Sequence, residues 1–244
     1  MSEPILSTSR VSKSFGGLKA VREVSFAVMP GEIFGIAGPN GSGKSTLFNI
    51  ITGIPFGPND GEVRFKGERI DGRPAHEIAR KGLSRTFQKD AEFPDLSAND
   101  TLEISAAYAG GLDRRQAAAQ REEAFALVGF ASGRRDMASS GLSVFEKKQL
   151  MIASALVAKP DILMLDEPAS GLTKPEIQAL DDLLRKVNEA GVTILLIEHV
   201  LALLMSVSQR LLVLNQGQVL AEGEPREVMK QPQVIEAYLG KRSQ

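Results

Sequence analysis

The stretch Gly38-Pro39-Asn40-Gly41-Ser42-Gly43-Lys44-Ser45 constrains the fold more than any other part of the chain. Glycines at 38, 41 and 43 free the backbone to wrap with its N–H groups pointing inward, partly at positive φ. The flanks make the reading specific. Ile33-Phe34-Gly35-Ile36-Ala37 is an apolar run that reads as a strand, and Thr46-Leu47-Phe48-Asn49-Ile50-Ile51 reads as a helix ended by Gly53. Strand, loop and helix in that order are the context required of G-x-x-x-x-G-K-[ST], a loop that cradles phosphate. The helix presents its positive dipole end to the same anion. Lys44 is then placed to reach β- and γ-phosphates, and the Ser45 hydroxyl to bind Mg²⁺.

A second constellation is Ile162-Leu163-Met164-Leu165-Asp166-Glu167. Four apolar residues read as a buried strand, and two carboxylates emerge at its carboxyl end, where ligands bind open α/β sheets. Asp166 is placed to hold Mg²⁺ through water, and Glu167 to polarise an attacking water. Elsewhere strands alternate with helices. Residues 5–37 read as short strands with tight turns, and Gly61 to Phe65 as another strand. Arg114 to Val128 is rich in Ala, Glu, Gln and Arg and reads as a helix within a helical stretch from Pro94 to Leu156. Ile177, Leu180, Leu183, Leu184 and Val187 mark one helical face closed by Gly191. Strands return over 192–197 and 211–214, and Asn215-Gln216-Gly217 reads as a hairpin turn. This is an α/β core interrupted by a helical insertion.

Composition excludes several classes of partner. The 244 residues, 43% hydrophobic and 24% charged, can bury a sizeable core. Lys and Arg number 29 against 30 Asp and Glu, so there is no cationic surplus for an extended nucleic-acid footprint. The lack of cysteine excludes disulfides, thiolate metal sites and thiol nucleophiles. Met1 to Pro4 opens no signal peptide, and the apolar stretch from Val192 to Met205 is too short to span a bilayer and contains Glu198 and His199. The expectation is a soluble cytosolic chain that reaches a membrane only through a partner.

Over nearly its whole length the sequence resembles the ATP-binding cassette (ABC) ATPases. Phe15 stands where the family's aromatic residue stacks on adenine. Gln88, in Ser84-Arg85-Thr86-Phe87-Gln88, matches the Q-loop glutamine that senses the γ-phosphate, binds the metal and faces the membrane partner. Ser170-Gly171-Leu172-Thr173 occupies the D-loop position, and His199 matches the switch histidine that contacts the γ-phosphate. The resemblance implies one ABC ATPase domain over residues 1–244: a P-loop NTPase core with an antiparallel β subdomain. Its catalytic lobe would be 1–93 and 157–244, and its inserted helical lobe 94–156. It implies ATP with Mg²⁺, held by Phe15, by Gly38 through Thr46 and by Ser143, with Ser45, Gln88 and Asp166 toward the metal. Lys44, Gln88, Glu167 and His199 would carry the catalysis. Three stretches are most similar to branched-chain amino acid importer cassettes: Phe15 to Val21, Gly82 to Gln88, and Tyr238-Leu239-Gly240. Cassettes for urea or lipopolysaccharide export share parts of them.

The sequence departs from the family at its signature. Where LSGGQ is usual, this chain reads Leu142-Ser143-Val144-Phe145-Glu146. In the family this segment closes over the γ-phosphate held by an opposing cassette. Val144 and Phe145 add bulk there, and Glu146 sets a carboxylate near an anion, an expected repulsion of order 1 kcal/mol in water and several in a drier interface. Ser143 to Glu146 also fits S-x-x-E, a helix capping box. Thr173 stands where Asp or Asn is frequent. The expected assembly is a pair with a second cassette, another copy of this chain or, by preference, a different cassette carrying an intact signature, beside transmembrane permease subunits at the cytoplasmic face of the inner membrane. The expected function is the motor of an importer. A nucleotide-gated module with little turnover and the ATPase of an ABC exporter or urea-type importer are the alternatives, and a chromosome-maintenance or translation ABC protein ranks last.

Overall fold

A computed structural model describes residues 3–86, 93–108 and 113–239. In chain order its elements are β1 (Leu6–Phe15), β2 (Leu18–Val28), β3 (Ile33–Ala37), α1 (Lys44–Thr52), β4 (Asp60–Phe65), β5 (Glu68–Arg69), α2 (Ala75–Arg80) and β6 (Leu83–Arg85). There follow α3 (Ala98–Tyr108), α4 (Arg114–Val128), α5 (Val144–Leu156), β7 (Ile162–Asp166) and α6 (Lys174–Glu189). The chain continues with β8 (Thr193–Ile197), α7 (Leu201–Val207), β9 (Arg210–Asn215), β10 (Gln218–Gly223), α8 (Pro225–Lys230) and α9 (Pro232–Leu239). They divide into two compact units, Met1–Ile78 with Thr193–Gln244, and Ala79–Val192.

In the first unit β1 and β2 pair as an antiparallel hairpin, and β4 adds to the other edge of β1. β3 lies between β8 and β9 and is parallel to both, with Phe34 opposite Leu195 and Arg210. Every residue of β3 and β8 is buried. A parallel strand covered on both faces has no solvent side to mark with polar residues, which is why these segments read as unbroken apolar runs. Each buried Ile or Leu here stabilises the fold by about 1.5–3 kcal/mol relative to exposure. β10 returns antiparallel to β9 through Gln216 (φ 49°) and Gly217 (φ 80°), the double positive φ of a type I′ hairpin. Arg210 ties the strands at their start: its guanidinium donates to the Ala27 carbonyl at 3.1 Å and to Glu32 at 3.2 Å, and pairs with Glu222. α7 buries Leu203, Leu204 and Val207. Its apolar character is that of a core helix.

In the second unit α3, α4 and α5 pack on one another around Leu102, Phe125, Phe130 and Leu150, all buried. The helix expected from Arg114 to Val128 has those bounds, with Asp113 and Gln116 forming a capping box and Gly129 closing the end in the left-handed conformation. Gln149 of α5 donates to the carbonyl of Val128 at 2.8 Å and of Gly129 at 3.3 Å, satisfying acceptors that the end of α4 leaves open. β6 and β7 are parallel, in register from Leu83 opposite Ile162 to Arg85 opposite Met164. α6 buries Leu180, Leu183, Leu184 and Val187, four of the five residues read as its apolar face, while Ile177 is half-buried.

Candidate functional site

The first unit carries the glycine-rich loop, read from the sequence as a phosphate cradle, at the junction of β3 and α1. Gly38 (φ 150°) and Gly43 (φ 105°) are both in backbone conformations that L side chains rarely adopt. A Cβ on Gly38 would stand 2.3 Å from the Leu214 carbonyl oxygen, and one on Gly43 would stand 2.5 Å from that of Ala20. Any larger residue would therefore displace backbone rather than a pliable side chain. α1 begins directly at Lys44, with no side-chain cap. The positive end of its dipole therefore meets the loop. The Lys44 ammonium, 6% exposed, donates to the Gly38 carbonyl at 2.8 Å and the Pro39 carbonyl at 3.3 Å. The cation is folded over the loop's own backbone. Asn40, Gly41 and Ser45 lie exposed, and Thr46, the third residue of α1, is half-buried.

Phe15 closes β1 with 45% of its surface exposed. Phe56 meets it edge-on, ring centroids 5.0 Å apart. The Lys13 ammonium sits 4.6 Å from the Phe56 centroid and donates to the Gly57 carbonyl at 2.9 Å. Phe15 is thus braced on one side and open on the other, as a flat stacking platform must be. His199 is exposed just past β8. Glu198 before it is wholly buried, and its carboxylate accepts the N–H groups of His199 at 3.1 Å and Val200 at 3.2 Å. This carboxylate fixes the backbone that presents the histidine. The sequence shows Glu198 only as a charge inside an apolar stretch, which gives no sign of which N–H groups its carboxylate accepts.

The second unit carries the carboxylates. Asp166 ends β7 only 4% exposed, and Glu167 follows at φ 51°. A non-glycine residue held there costs of order 1–3 kcal/mol, and such strain clusters at functional sites. Arg85 of β6 donates to Asp166 Oδ2 at 3.0 Å, with both side chains nearly out of solvent. Burial lowers the Arg85 pKa, while the Asp166 charge opposes that shift. Gln88 lies outside the described residues. Thr173 caps α6: its N–H and hydroxyl donate to Glu176 at 2.8 and 2.7 Å. That capping role gives Thr173 a local reason in place of Asp or Asn.

The signature segment has the expected capping box. Ser143 Oγ accepts the Glu146 N–H at 3.2 Å, and the Glu146 carboxylate accepts the Ser143 N–H at 2.7 Å. Arg134 grips the same carboxylate with two donors, at 2.7 and 2.9 Å. That contact is the main force holding the Glu146 pKa down to about 2, well below the ordinary glutamate range. The expectation that Glu146 repels an approaching phosphate needs correction. Its charge is neutralised within the segment by Arg134, which the sequence did not mark as a partner. Val144 stays 44% exposed, so bulk is the departure that reaches the surface.

Among the described residues no helix is long and apolar enough to cross a membrane. Residues 21–170 match the family model for ABC transporters, and residues 218–243 match that for branched-chain amino acid ATP-binding cassette transporters. The chain is 39% identical to the high-affinity branched-chain amino acid transport ATP-binding protein BraF of Pseudomonas aeruginosa, covering 98% of this chain and 99% of the relative. It is 38% identical to LivG of Escherichia coli, a protein of the same description, over 98% and 99%. Among solved structures it is similar to the ADP conformation of MJ1267, an ATP-binding cassette of an ABC transporter. That likeness has a TM-score of 0.90 at 29% identity and covers 98% of this chain and all of the other.

Proposed function

The chain belongs to the ATP-binding cassettes of ABC transporters, and on that premise we propose that it binds and hydrolyses ATP to drive import of branched-chain or related amino acids. The observation that carries the reading is the loop at residues 38–45, whose glycine geometry, helix start without a side-chain cap and folded-over Lys44 suit a phosphate group. Loop N–H groups and Lys44 take the phosphates, Phe15 takes the adenine, and His199 and Gln88 meet the γ-phosphate. Glu167 orients water, so that catalysis is mostly stabilisation of charge on the transferring phosphoryl group. The Ser45 hydroxyl and the Asp166 carboxylate are oxygen donors of the kind Mg²⁺ takes, and in this reading they would hold it. When bound it would supply neutralisation of phosphate charge. Ser143, as the cap of α5, faces the nucleotide of an opposing cassette in this reading. Transmembrane permease subunits complete the assembly at the cytoplasmic face of the membrane. Similarity to BraF and LivG supports the amino-acid assignment.

Binding and turnover test the reading separately. Purified protein is expected to bind Mg-ATP, Lys44→Ala to bind it at least tenfold more weakly, and Glu167→Gln to bind normally while releasing little phosphate. Equal ATP affinity in the parent and Lys44→Ala would sink the proposal. A second reading is a nucleotide-gated cassette with little turnover of its own, favoured by Val144 and Phe145 in place of the signature glycines. Binding by the parent without sustained phosphate release, reversed by a partner cassette, would select it.

A further inference from the structure

The chain that leaves the far end of α1 is laced to the end of β1. Gly53 closes α1 in the left-handed conformation, and residues 54–59 lead on to β4. The Asn59 N–H donates to the Ser12 carbonyl at 2.8 Å, and the Asn59 side-chain oxygen accepts the Ser14 N–H at 2.7 Å. The Lys13 ammonium donates to the Gly57 carbonyl at 2.9 Å. These three bonds fix residues 57–59 against residues 12–14, and each segment has a phenylalanine at its border. Phe15 is the last residue of β1, and Phe56 comes just before Gly57. Their ring centroids are 5.0 Å apart with the planes at 73°. The Lys13 ammonium lies 4.6 Å from the Phe56 centroid and 5.7 Å from that of Phe15, so a cation joins the pair. Phe56 is half-buried, whereas Phe15 keeps 45% of its surface exposed. An exposed ring at a strand end has several rotamers open to it, and a base that stacks there must first fix one. The edge-to-face contact with Phe56 fixes it beforehand.

We propose that Phe56 is a positioning residue for the adenine: it sets the plane of the Phe15 ring and acts on the base through that ring alone. The inference rests on the nucleotide reading above and extends it to the segment after α1, which carries none of that chemistry. One helix then serves both ends of the nucleotide. Its first residue, Lys44, belongs to the phosphate loop, and its exit segment stands behind the base platform. Ordering the ring before the base arrives favours binding without adding a contact to the base.

Inorganic tripolyphosphate with Mg²⁺ offers the phosphates without the base and so separates the two ends. Phe56→Leu keeps an apolar side chain and removes the ring. Its Kd for Mg-ATP is expected to rise about three- to tenfold, while its Kd for Mg-tripolyphosphate matches the parent's. Phe56→Tyr keeps the ring and is expected to bind ATP as the parent does. Phe15→Ala with Phe56→Leu is expected to bind ATP no more weakly than Phe15→Ala alone, because nothing is left to position. An ATP Kd for Phe56→Leu equal to the parent's would overturn the proposal, as would a Phe56→Tyr Kd as high as that of Phe56→Leu. An equal loss for tripolyphosphate would make Phe56 a general support of the site, and losses that multiply in the double variant would put it on the base itself. Either overturns the positioning role. A parent chain that binds no ATP, or Phe15→Ala that binds it as the parent does, would overturn the adenine reading and this inference with it. ATP weakened by Phe15→Ala but not by Phe56→Leu removes the inference alone.

Discussion

Arg85 and Asp166 hold each other at 3.0 Å in surroundings that exclude most water, and single residues of this kind decide whether the carboxylate end of β7 is usable. Stripping one member from a buried pair leaves an uncompensated charge, which typically costs 3–5 kcal/mol. Arg85→Ala is expected to lose about that much in urea unfolding. A loss below about 1 kcal/mol would mean that water reaches Asp166 freely. Glu198 makes a parallel case in the first unit, because its carboxylate accepts the N–H of the residue proposed to meet the γ-phosphate. Glu198→Ala is expected to cut ATP turnover roughly ten- to hundredfold, the scale of a small misplacement, while leaving the ATP Kd near the parent's. Unchanged turnover would show that His199 is held without it. The candidate residues that stood out in the sequence, Lys44, Ser45 and Asp166, are fixed by a contiguous strand-and-loop pattern. Arg85 and Glu198 did not stand out, because their roles exist only once β6 lies beside β7 and the chain past β8 has turned.

At the scale of elements the same division holds between what neighbours along the chain determine and what neighbours in space determine. The long helices and the fully buried strands announce themselves, since α4 is rich in strong helix formers, α6 repeats an apolar face, and β3, β7 and β8 are dominated by apolar residues. β5, β6 and α2 are too short to establish a period. The start of α5 combines both kinds of information: Ser143-x-x-Glu146 is local and legible, whereas the Arg134 grip is not. Ser143→Ala is expected to cost about 1 kcal/mol in chemical denaturation, the usual worth of such a cap. The ion pair also predicts a pH dependence. Folding depresses the Glu146 pKa from about 4.5 to about 2, so the unfolded chain takes up the proton first as pH falls. The stability that Glu146 contributes is then complete above about pH 4.5 and is lost progressively toward pH 2. Urea midpoints of the parent and Glu146→Gln should differ most near neutral pH and converge as pH falls below 4.5. A gap constant across that range would mean that the Arg134 contact is absent in solution.

For the whole molecule the open matter is self-association, and the signature segment frames it. With Glu146 neutralised by Arg134, charge is no longer the obstacle to closing two copies over ATP. What remains is shape. Glycine at 144 and 145 would let backbone N–H groups approach a phosphate, whereas Val144 projects 44% of its surface and one of its methyls would stand 3.6 Å from a Cβ on Gly171. Backbone N–H groups held back by even a few tenths of an ångström make poor oxyanion donors, because the hydrogen bond weakens quickly beyond about 3.2 Å. The expectation from that argument is that two copies of this chain close badly and that a partner cassette with glycines completes the better site. Glu167→Gln supplies the test, because a cassette that binds ATP without hydrolysing it remains closed if it can close at all. Light scattering on that variant at high concentration, with bound ATP confirmed, is expected to report a monomer. The same variant with glycine at both 144 and 145 is expected to report an ATP-dependent dimer. A dimer already formed by Glu167→Gln alone would mean that the interface accommodates Val144 and Phe145, and the requirement for a different partner cassette would fall. Loss of the monomer only after the glycines are restored would place the barrier in those two side chains and not in charge.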